Sequence, residues 1–171
     1  FRKARLDLTE SGLFTLSDGT RAILESMEDD VTLRFYFSKS MANDLTDLRD
    51  YARRVEELLV EYQSIAGSHL DVHIIEPEPF SEEEDQAVGY GIQGVPVNNA
   101  GEMLYFGLVG TNTTDGEELI PFFQLRREEF LEYDLTKLVY RLANPDRTTV
   151  GLLTTLPLSG GPVNPMQPQA A

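Results

Sequence analysis

Hydrophobic residues follow two different periods along this chain, and the change from one period to the other marks its elements. The segment Val31–Phe37 is rich in β-branched and aromatic residues, which predicts a strand. Over residues 44–66 apolar residues recur every three or four positions, which predicts a long amphipathic helix that Asn43 caps and Gly67 ends. The apolar run His69–Ile75 predicts a second strand, and the right-handed crossover rule makes the two strands parallel.

Shorter elements are predicted on both sides of this unit. Before it, Ser17 and Asp18 offer an N-cap to a short helix from about Gly19 to Met27, which follows an extended segment. Pro121 interrupts the second of two later strands and suits a sheet edge or a bulge. The remaining pattern predicts a helix, two strands joined by a polar loop, and a last helix, over residues 81–90, 103–109, 117–124 and 127–143.

The predicted order of elements over residues 31–143 is β-α-β-α-β-β-α, which is the order of the thioredoxin fold. A central mixed sheet flanked by helices buries both the apolar strands and the helical stripes, so we predict an α/β, thioredoxin-like fold. The run Thr148–Thr154 predicts the first strand of a truncated following domain. The chain is thus divided into an N-terminal extended segment with a short helix, a thioredoxin-like domain, the start of a following domain and a mobile tail, over residues 1–30, 31–145, 146–158 and 159–171.

The stretch Tyr90–Val97 resembles the thioredoxin signature in which a cis-proline opens the third central strand. Pro96 is therefore a candidate cis peptide at the start of a strand. The redox cysteine pair of thioredoxins would follow the first strand, and here Ser38–Met41 takes that place, which rules out dithiol chemistry. Thioredoxin-fold proteins bind extended peptides at these loops. The candidate partner-binding residues are Ser38, Lys39, Ser40, Met41, Tyr90, Gln93, Val95 and Pro96.

Composition and charge narrow the function. The chain has 171 residues, of which 41% are hydrophobic, and this suffices for one well-buried core. A net charge of −15 argues against nucleic acid or anionic lipid as a partner. The absence of cysteine excludes disulfides, cysteine-bound metals and thiol catalysis, and it fits an extracytoplasmic location. No apolar run approaches the roughly 20 residues that span a bilayer. Two small clusters of arginines are candidates for a local basic patch, but they are typical of solvated helix faces: Arg49, Arg53 and Arg54, and Arg126 and Arg127.

Residues that carry chemistry are few. The spacing of His69 and His73 places both on one face of the second strand, but the sequence offers few further ligands nearby for a metal. Ser38 or Ser40 would need an adjacent base to act as a nucleophile. Asn112 begins an N-glycosylation sequon. We therefore predict no cofactor, no metal site and no enzymatic activity. Two acidic groups match no EF-hand spacing and are typical of solvated surface: Glu82–Asp85 and Asp115–Glu118.

Five strings of residues, in order along the chain, resemble one family: Asp7–Leu24, Tyr51–Tyr62, Tyr90–Val97, Ile120–Leu142 and Val150–Gly160. That family is the auxiliary component of an uncharacterised bacterial ABC transport system of the gliding-motility type. The resemblance implies an extracytoplasmic N-terminal domain of a membrane-anchored protein, with the anchors absent from this fragment. The partners that it implies are the ABC permease and ATPase subunits. It implies no catalytic residue.

Three functions are compatible with these features. The first is a non-catalytic interaction domain of the transporter's auxiliary subunit. The second is a small-molecule or sugar-binding module feeding a permease, which a deep pocket would favour. The third is a hydrolase that uses serine or carboxylates. Self-association through strand edges at Leu13–Phe14 and Val150 would give a homo-oligomer. Several aromatic residues are either core or, if exposed near Pro96, a binding patch: Tyr105, Phe106, Phe122, Phe123 and Tyr133.

Overall fold

The computed structural model describes residues 15–145, which form four helices and five strands. Three short 3₁₀ turns lie between them, at Lys39–Ala42, Gly67–His69 and Leu125–Phe130. The helices and strands are α1 (Asp18–Glu25), β1 (Val31–Phe37), α2 (Thr46–Ala66), β2 (Leu70–Ile75), α3 (Glu82–Tyr90), β3 (Gly94–Pro96), β4 (Met103–Asn112), β5 (Glu117–Ile120) and α4 (Leu131–Ala143).

The strands form one mixed sheet whose path runs β2-β1-β4-β3, with β5 also paired to β4. The β1–β2 pair is parallel, as the crossover rule predicts, with Phe35 opposite Ile74. The β1–β4 pair is antiparallel and sets Phe35 opposite Leu108. On its other edge β4 pairs with β3 near its start and with β5 near its end, both antiparallel. The α/β class with a central mixed sheet flanked by helices is therefore confirmed.

The two faces of the sheet have different helical covers. Leu33 and Phe35 of β1 point into the larger core, where they lie with buried residues of α1, α2 and α4. Tyr36, the residue after Phe35, points to the opposite face because side chains alternate along a strand, and it packs in a smaller cluster with Ala87 of α3 and Val109 of β4. Three helices thus cover one face and α3 covers the other.

Several predicted helix ends are confirmed by their hydrogen bonds. Ser17 caps α1, because its Oγ accepts from the Thr20 amide at 3.2 Å. Ser81 caps α3 in the same way, accepting from the Glu84 amide at 3.2 Å. Gly67 ends α2 with a φ of 65°, a conformation that favours glycine.

The predicted start of α2 is wrong by two residues. Asn43 does not cap this helix, because its Nδ2 donates to the Ser40 carbonyl at 2.8 Å and thereby closes the preceding 3₁₀ turn. Leu45 occupies the N-cap position and forms no side-chain capping bond. The cap was misassigned because a local turn competed for the asparagine side chain.

The prediction for Pro96 is wrong in two respects. The Val95–Pro96 bond is trans, because the described residues contain no cis peptide. Pro96 also does not open the third central strand, which is β4 and begins only at Met103. It lies instead in the short edge strand β3, where the chain stays extended and the Val97 amide donates to the Glu102 carbonyl at 3.0 Å. A residue without an amide hydrogen suits such an edge.

The second predicted strand of the later pair is shorter than expected. It ends at Ile120 because Pro121 has no amide hydrogen, although the Phe123 amide still donates to the Phe106 carbonyl at 2.8 Å.

Between residues 15 and 145, no helix is both long enough and apolar enough to cross a membrane. Other predictions fall outside the described residues: most of the N-terminal extended segment, the strand Thr148–Thr154, the tail, and the strand edges at Leu13–Phe14 and Val150.

Candidate functional site

The two predicted partner-binding loops lie at the same end of the sheet, on opposite sides of β4. The Ser38 amide donates to the Tyr105 carbonyl at 3.0 Å, and the Tyr105 amide donates to Ser38 Oγ at 2.9 Å. On the other side of Tyr105, Gly94 is its strand partner. Because neighbouring strands lie about 4.8 Å apart, the two loops are separated by about 10 Å.

The loop after β1 presents only part of its predicted residues to solvent. Ser38 is fully buried, and its hydroxyl is occupied by the Tyr105 amide, so it serves the sheet and is not accessible as a nucleophile. Lys39 and Ser40 are exposed, and the Ser40 amide donates to Glu76 Oε1 at 2.9 Å. Met41 is half-buried and packs against the larger core. This loop offers a partner Lys39 and Ser40.

The residues of the second loop separate onto different faces. Tyr90 is half-buried on the α3 face, where the Arg34 guanidinium lies 5.9 Å from its ring centroid. Gln93 is exposed, and its amide donates to the Pro121 carbonyl at 2.9 Å. Val95 and Pro96 are exposed as well, and Val95 is the cross-strand partner of Leu104, which belongs to the larger core. Val95 therefore faces the α2 side, away from Tyr90.

On that side lies an open groove of about 530 Å³ between the start of α2, β3, β4 and the turn after β5. We call it the α2–β3 groove. Its floor is formed by the buried side chains of Leu48 and Leu104, and its walls carry exposed apolar side chains. The groove is lined by Asp44, Leu45, Thr46, Asp47, Leu48, Val95, Val97, Leu104, Phe122 and Leu125.

Most of these lining residues were missed by the sequence reasoning. Leu45 falls within the apolar periodicity of residues 44–66, but it is 46% exposed because it precedes the first turn of α2. Leu125 follows β5 in a 3₁₀ turn and is 45% exposed. In the sequence, each of them appears only as an apolar residue just outside a helix. That pattern alone does not distinguish a packed residue from an exposed one.

Most of the aromatic residues for which core and binding patch were the two alternatives lie in the core. Tyr105, Phe106 and Phe123 are buried, so the core alternative is confirmed for them. Phe122 is half-buried and lines the α2–β3 groove. Tyr133 is exposed, but it lies on α4 in a second groove. Burial and the hydrogen bond to Glu84 raise the pKa of Tyr105 to about 12.

The histidines do not form a pair. His69 lies in the 3₁₀ turn before β2, so strand alternation does not apply to it, and its Nδ1 lies 2.8 Å from Asp30. His73 in β2 pairs with Asp71 at 2.8 Å. Across residues 15–145, no group of three or more His, Cys, Asp or Glu side chains is arranged to hold a metal ion.

The arginines predicted to lie on solvated faces have local partners. Arg53 pairs with Asp50 at 3.0 Å, and Arg127 pairs with Asp134 at 2.7 Å. Arg54 lies 2.5 Å from Glu128 and links α2 to the turn before α4. These pairs neutralise part of the positive charge where it arises, so the arginines within residues 15–145 do not form an extended basic field.

A second groove, of about 570 Å³, lies between α1 and α4. Glu132 Oε1 lies among its lining residues and accepts three hydrogen bonds, from the Ser17 amide at 2.9 Å, the Ser17 hydroxyl at 2.7 Å and the Thr20 hydroxyl at 2.6 Å. Thr136 joins this network, with its Oγ1 3.1 Å from that of Thr20. The polar groups at this groove are thus largely bonded to one another.

Comparison with known proteins identifies a family. A family profile described as a domain of unknown function, DUF7088, matches residues 10–111, more than half of the chain. No curated protein and no solved structure matches the chain significantly.

Proposed function

We propose, from the premise that this chain belongs to the DUF7088 family, that it is a non-catalytic protein-interaction domain on a thioredoxin-like scaffold without the redox dithiol. The observation that carries this proposal is the α2–β3 groove, an exposed apolar cleft beside Val95. Contiguous exposed apolar surface is typical of binding sites for proteins or ligands.

The strand order supports the thioredoxin-like assignment. Strands β2, β1, β4 and β5 follow one another across the sheet, with β1 and β2 parallel and β4 and β5 each antiparallel to its neighbour. With α2 and α4 on one face and α3 on the other, this is the arrangement that the β-α-β-α-β-β-α order anticipates. The short β3 is an addition beside the start of β4.

The wider role we propose is that of an extracytoplasmic part of an ABC-transporter auxiliary subunit. The support is the ordered set of sequence strings that resemble this family, from Asp7 to Gly160. The expected partners are the permease, which would meet the domain outside the membrane, and the ATPase held through the permease.

Site-specific photo-crosslinking in the full-length membrane protein tests both parts. A benzophenone side chain at Leu125, in the groove, is compared with one at Val60, an exposed apolar position of α2 that does not line it. We expect cross-links to the permease from Leu125 only, with the ATPase co-purifying. Cross-links to soluble enzymes alone would contradict the transporter role, and equal yields at both positions would contradict the groove.

The small-molecule or sugar-binding alternative is favoured by a different feature, the groove between α1 and α4. It combines the exposed ring of Tyr133 with the ammonium of Lys137, which lies 5.8 Å from that ring's centroid. An aromatic platform beside polar groups suits a sugar. NMR titration with monosaccharides would support this alternative if shifts map to Tyr133 and disappear in Tyr133→Ala.

A further inference from the structure

We propose that the α2–β3 groove receives an extended segment of a partner protein that carries Lys or Arg beside apolar side chains. The inference rests on the proposed function, because it names the partner chemistry of the same groove. It is argued from the exposed apolar walls, the charge of the rim and the edge of β3.

The exposed apolar side chains in the walls of the groove lie together, unlike apolar residues scattered singly over a surface. Among residues 15–145, eleven large hydrophobic side chains are exposed, and four of them line this groove. They come from three separate parts of the chain, so they meet only in the folded domain. Covering them would remove apolar surface from water, which stabilises a complex by about 25 cal/mol per Å². The four are Leu45, Val95, Val97 and Leu125, each 38–46% exposed.

The rim of the groove is acidic. Among the described residues that line it, Asp44 and Asp47 are the charged ones, and none is basic. Neither carboxylate has an ion-pair partner within residues 15–145, in contrast to Asp50 one turn later, which pairs with Arg53. Arg49, on the same helix, donates instead to the Asn43 carbonyl at 3.3 Å. A cationic group entering the groove would therefore meet two carboxylates with no competing ion pair.

The helix dipole at the start of α2 does not reverse the preference of the groove for a cationic group. The positive end of a helix dipole attracts anions, but it amounts to roughly half an elementary charge. Asp47 lies in the first turn and supplies a full negative charge there. An acidic partner would thus face net repulsion from Asp44 and Asp47.

The free edge of strand β3, which lies beside the groove, favours an extended segment over a folded surface. Strand β3 pairs with β4 on one edge, so the backbone groups of Gly94 and Pro96 face away from that partner. Pro96 has no amide hydrogen, so this edge offers only a short ladder to an added strand. The choice of partner sequence must then depend mainly on side-chain contacts, and the carboxylates of Asp44 and Asp47 are the charged groups that can make them.

The test uses the full chain and three fluorescein-labelled probe peptides of eight residues, measured by fluorescence anisotropy. Leucine alternates with lysine in the first, with glutamine in the second and with glutamate in the third. We expect affinity to fall from the lysine to the glutamine to the glutamate peptide. Added salt should weaken the lysine peptide because exposed charges are screened.

Two pairs of variants locate the effect. Asp44→Asn with Asp47→Asn should weaken the lysine peptide about three- to tenfold and leave the glutamine peptide unchanged. The control, Glu57→Gln with Glu61→Gln, removes two acidic groups of α2 that do not line the groove and should have a smaller effect. Leu125→Gln should weaken all three peptides, and Val60→Gln should weaken none.

The outcomes separate this inference from the proposed function. If Leu125→Gln weakens the glutamine peptide but both acidic pairs act alike on the lysine peptide, the groove stands and the charge selectivity is wrong. If Leu125→Gln has no effect, the groove itself is not the site. The N-terminal residues Arg2, Lys3 and Arg5 provide a last check. If replacing all three by glutamine raises the affinity for the uncharged glutamine peptide, the chain's own segment competes for the groove, and that segment, not a separate partner, is the occupant.

Discussion

Glu132 joins the first helix of the described chain to the last one. One of its oxygens accepts three hydrogen bonds from Ser17 and Thr20, and Tyr62 OH lies 2.5 Å from Thr136 Oγ1 in the same network. Burial raises the pKa of Glu132, but the hydrogen bonds from Thr20 and Ser17 outweigh it, so the pKa lies below its ordinary value. The ionised form is therefore the one that the fold stabilises.

We expect Glu132→Gln to lower the free energy of unfolding by about 1–3 kcal/mol at pH 7, because hydrogen bonds to a carboxylate are stronger than those to an amide. Since the folded-state pKa is depressed, this contribution is present above the unfolded-state pKa and is lost as pH falls through the folded-state value. Urea denaturation of both proteins between pH 7 and pH 3 measures the difference. Glu129→Gln is the exposed control, and a difference that does not change with pH would contradict the assignment.

Asn112 shows a second residue whose role only the fold reveals. Its Nδ2 donates to the Leu142 carbonyl at 2.8 Å, while its Oδ1 accepts from the amides of Thr114 and Gly116 at 3.0 and 2.7 Å. The side chain thereby ties the turn between β4 and β5 to the end of α4. The sequon that begins here is thus engaged in structural contacts.

We expect Asn112→Ala to reduce the free energy of unfolding by about 1–3 kcal/mol, because it leaves the Leu142 carbonyl and two turn amides without their partner. Chemical denaturation measures the loss. Asn99→Ala, at an exposed position in the turn after β3, is the matched control and should change stability by less than about 0.5 kcal/mol. Equal effects at the two positions would show that the Asn112 contacts contribute little.

Strand β4 is the element on which the others converge, since it pairs with β1, β3 and β5. Helix α4 approaches it closely at Gly110. A Cβ atom built there would lie 2.5 Å from Leu142 Cδ1 and 2.9 Å from both Leu138 Cδ2 and Leu33 Cδ2. A Cβ at this position would therefore require three buried leucine side chains to move, while the φ of Gly110 is not in the left-handed region.

We expect Gly110→Ala to destabilise the domain by about 1–3 kcal/mol, because three packed leucines would have to shift. Gly19→Ala is the matched control, since a Cβ there meets nothing within 4 Å. In helix α1 that change should instead stabilise by about 0.5–1 kcal/mol. Thermal unfolding followed by circular dichroism distinguishes the two signs, and a neutral Gly110→Ala would contradict the packing argument.

The described domain folds around one larger core that includes its first helix. Leu16, Leu24 and Met27 are buried in the same cluster as the residues of α2, α4 and the sheet. Helix α1 is thus part of the domain's packing. The groove that we propose as the interaction site lies at the other end of α2 from Gly67, beside β3.

We expect Leu24→Ala to destabilise the whole domain by about 2–5 kcal/mol within a single unfolding transition, because the leucine is only 1% exposed. Val60→Ala, on the exposed side of α2, should change stability by less than about 0.5 kcal/mol. Differential scanning calorimetry measures both. A separate early transition in Leu24→Ala would show that α1 unfolds independently.

The order of hydrophobic and polar residues determined the strands at Val31–Phe37 and Leu70–Ile75, the helix between them and their parallel pairing. These features follow from the local periodicity of the sequence and from the right-handed crossover rule, and both apply within one continuous β-α-β segment. Of the predicted partner-binding residues, Val95 alone lines the α2–β3 groove, while Ser38 is buried and Tyr90 lies on the opposite face.

The tertiary structure alone decided the groove. Leu45, Val95 and Leu125 are far apart in sequence, and they meet because β3 and the turn after β5 both lie beside the start of α2. Whether an apolar residue is covered depends on which segments pack over it, and no local pattern records that. The same holds for the Asn43 side chain, which closed a turn instead of capping a helix. Exposure is a property of the assembled layers, so it became visible only in the fold.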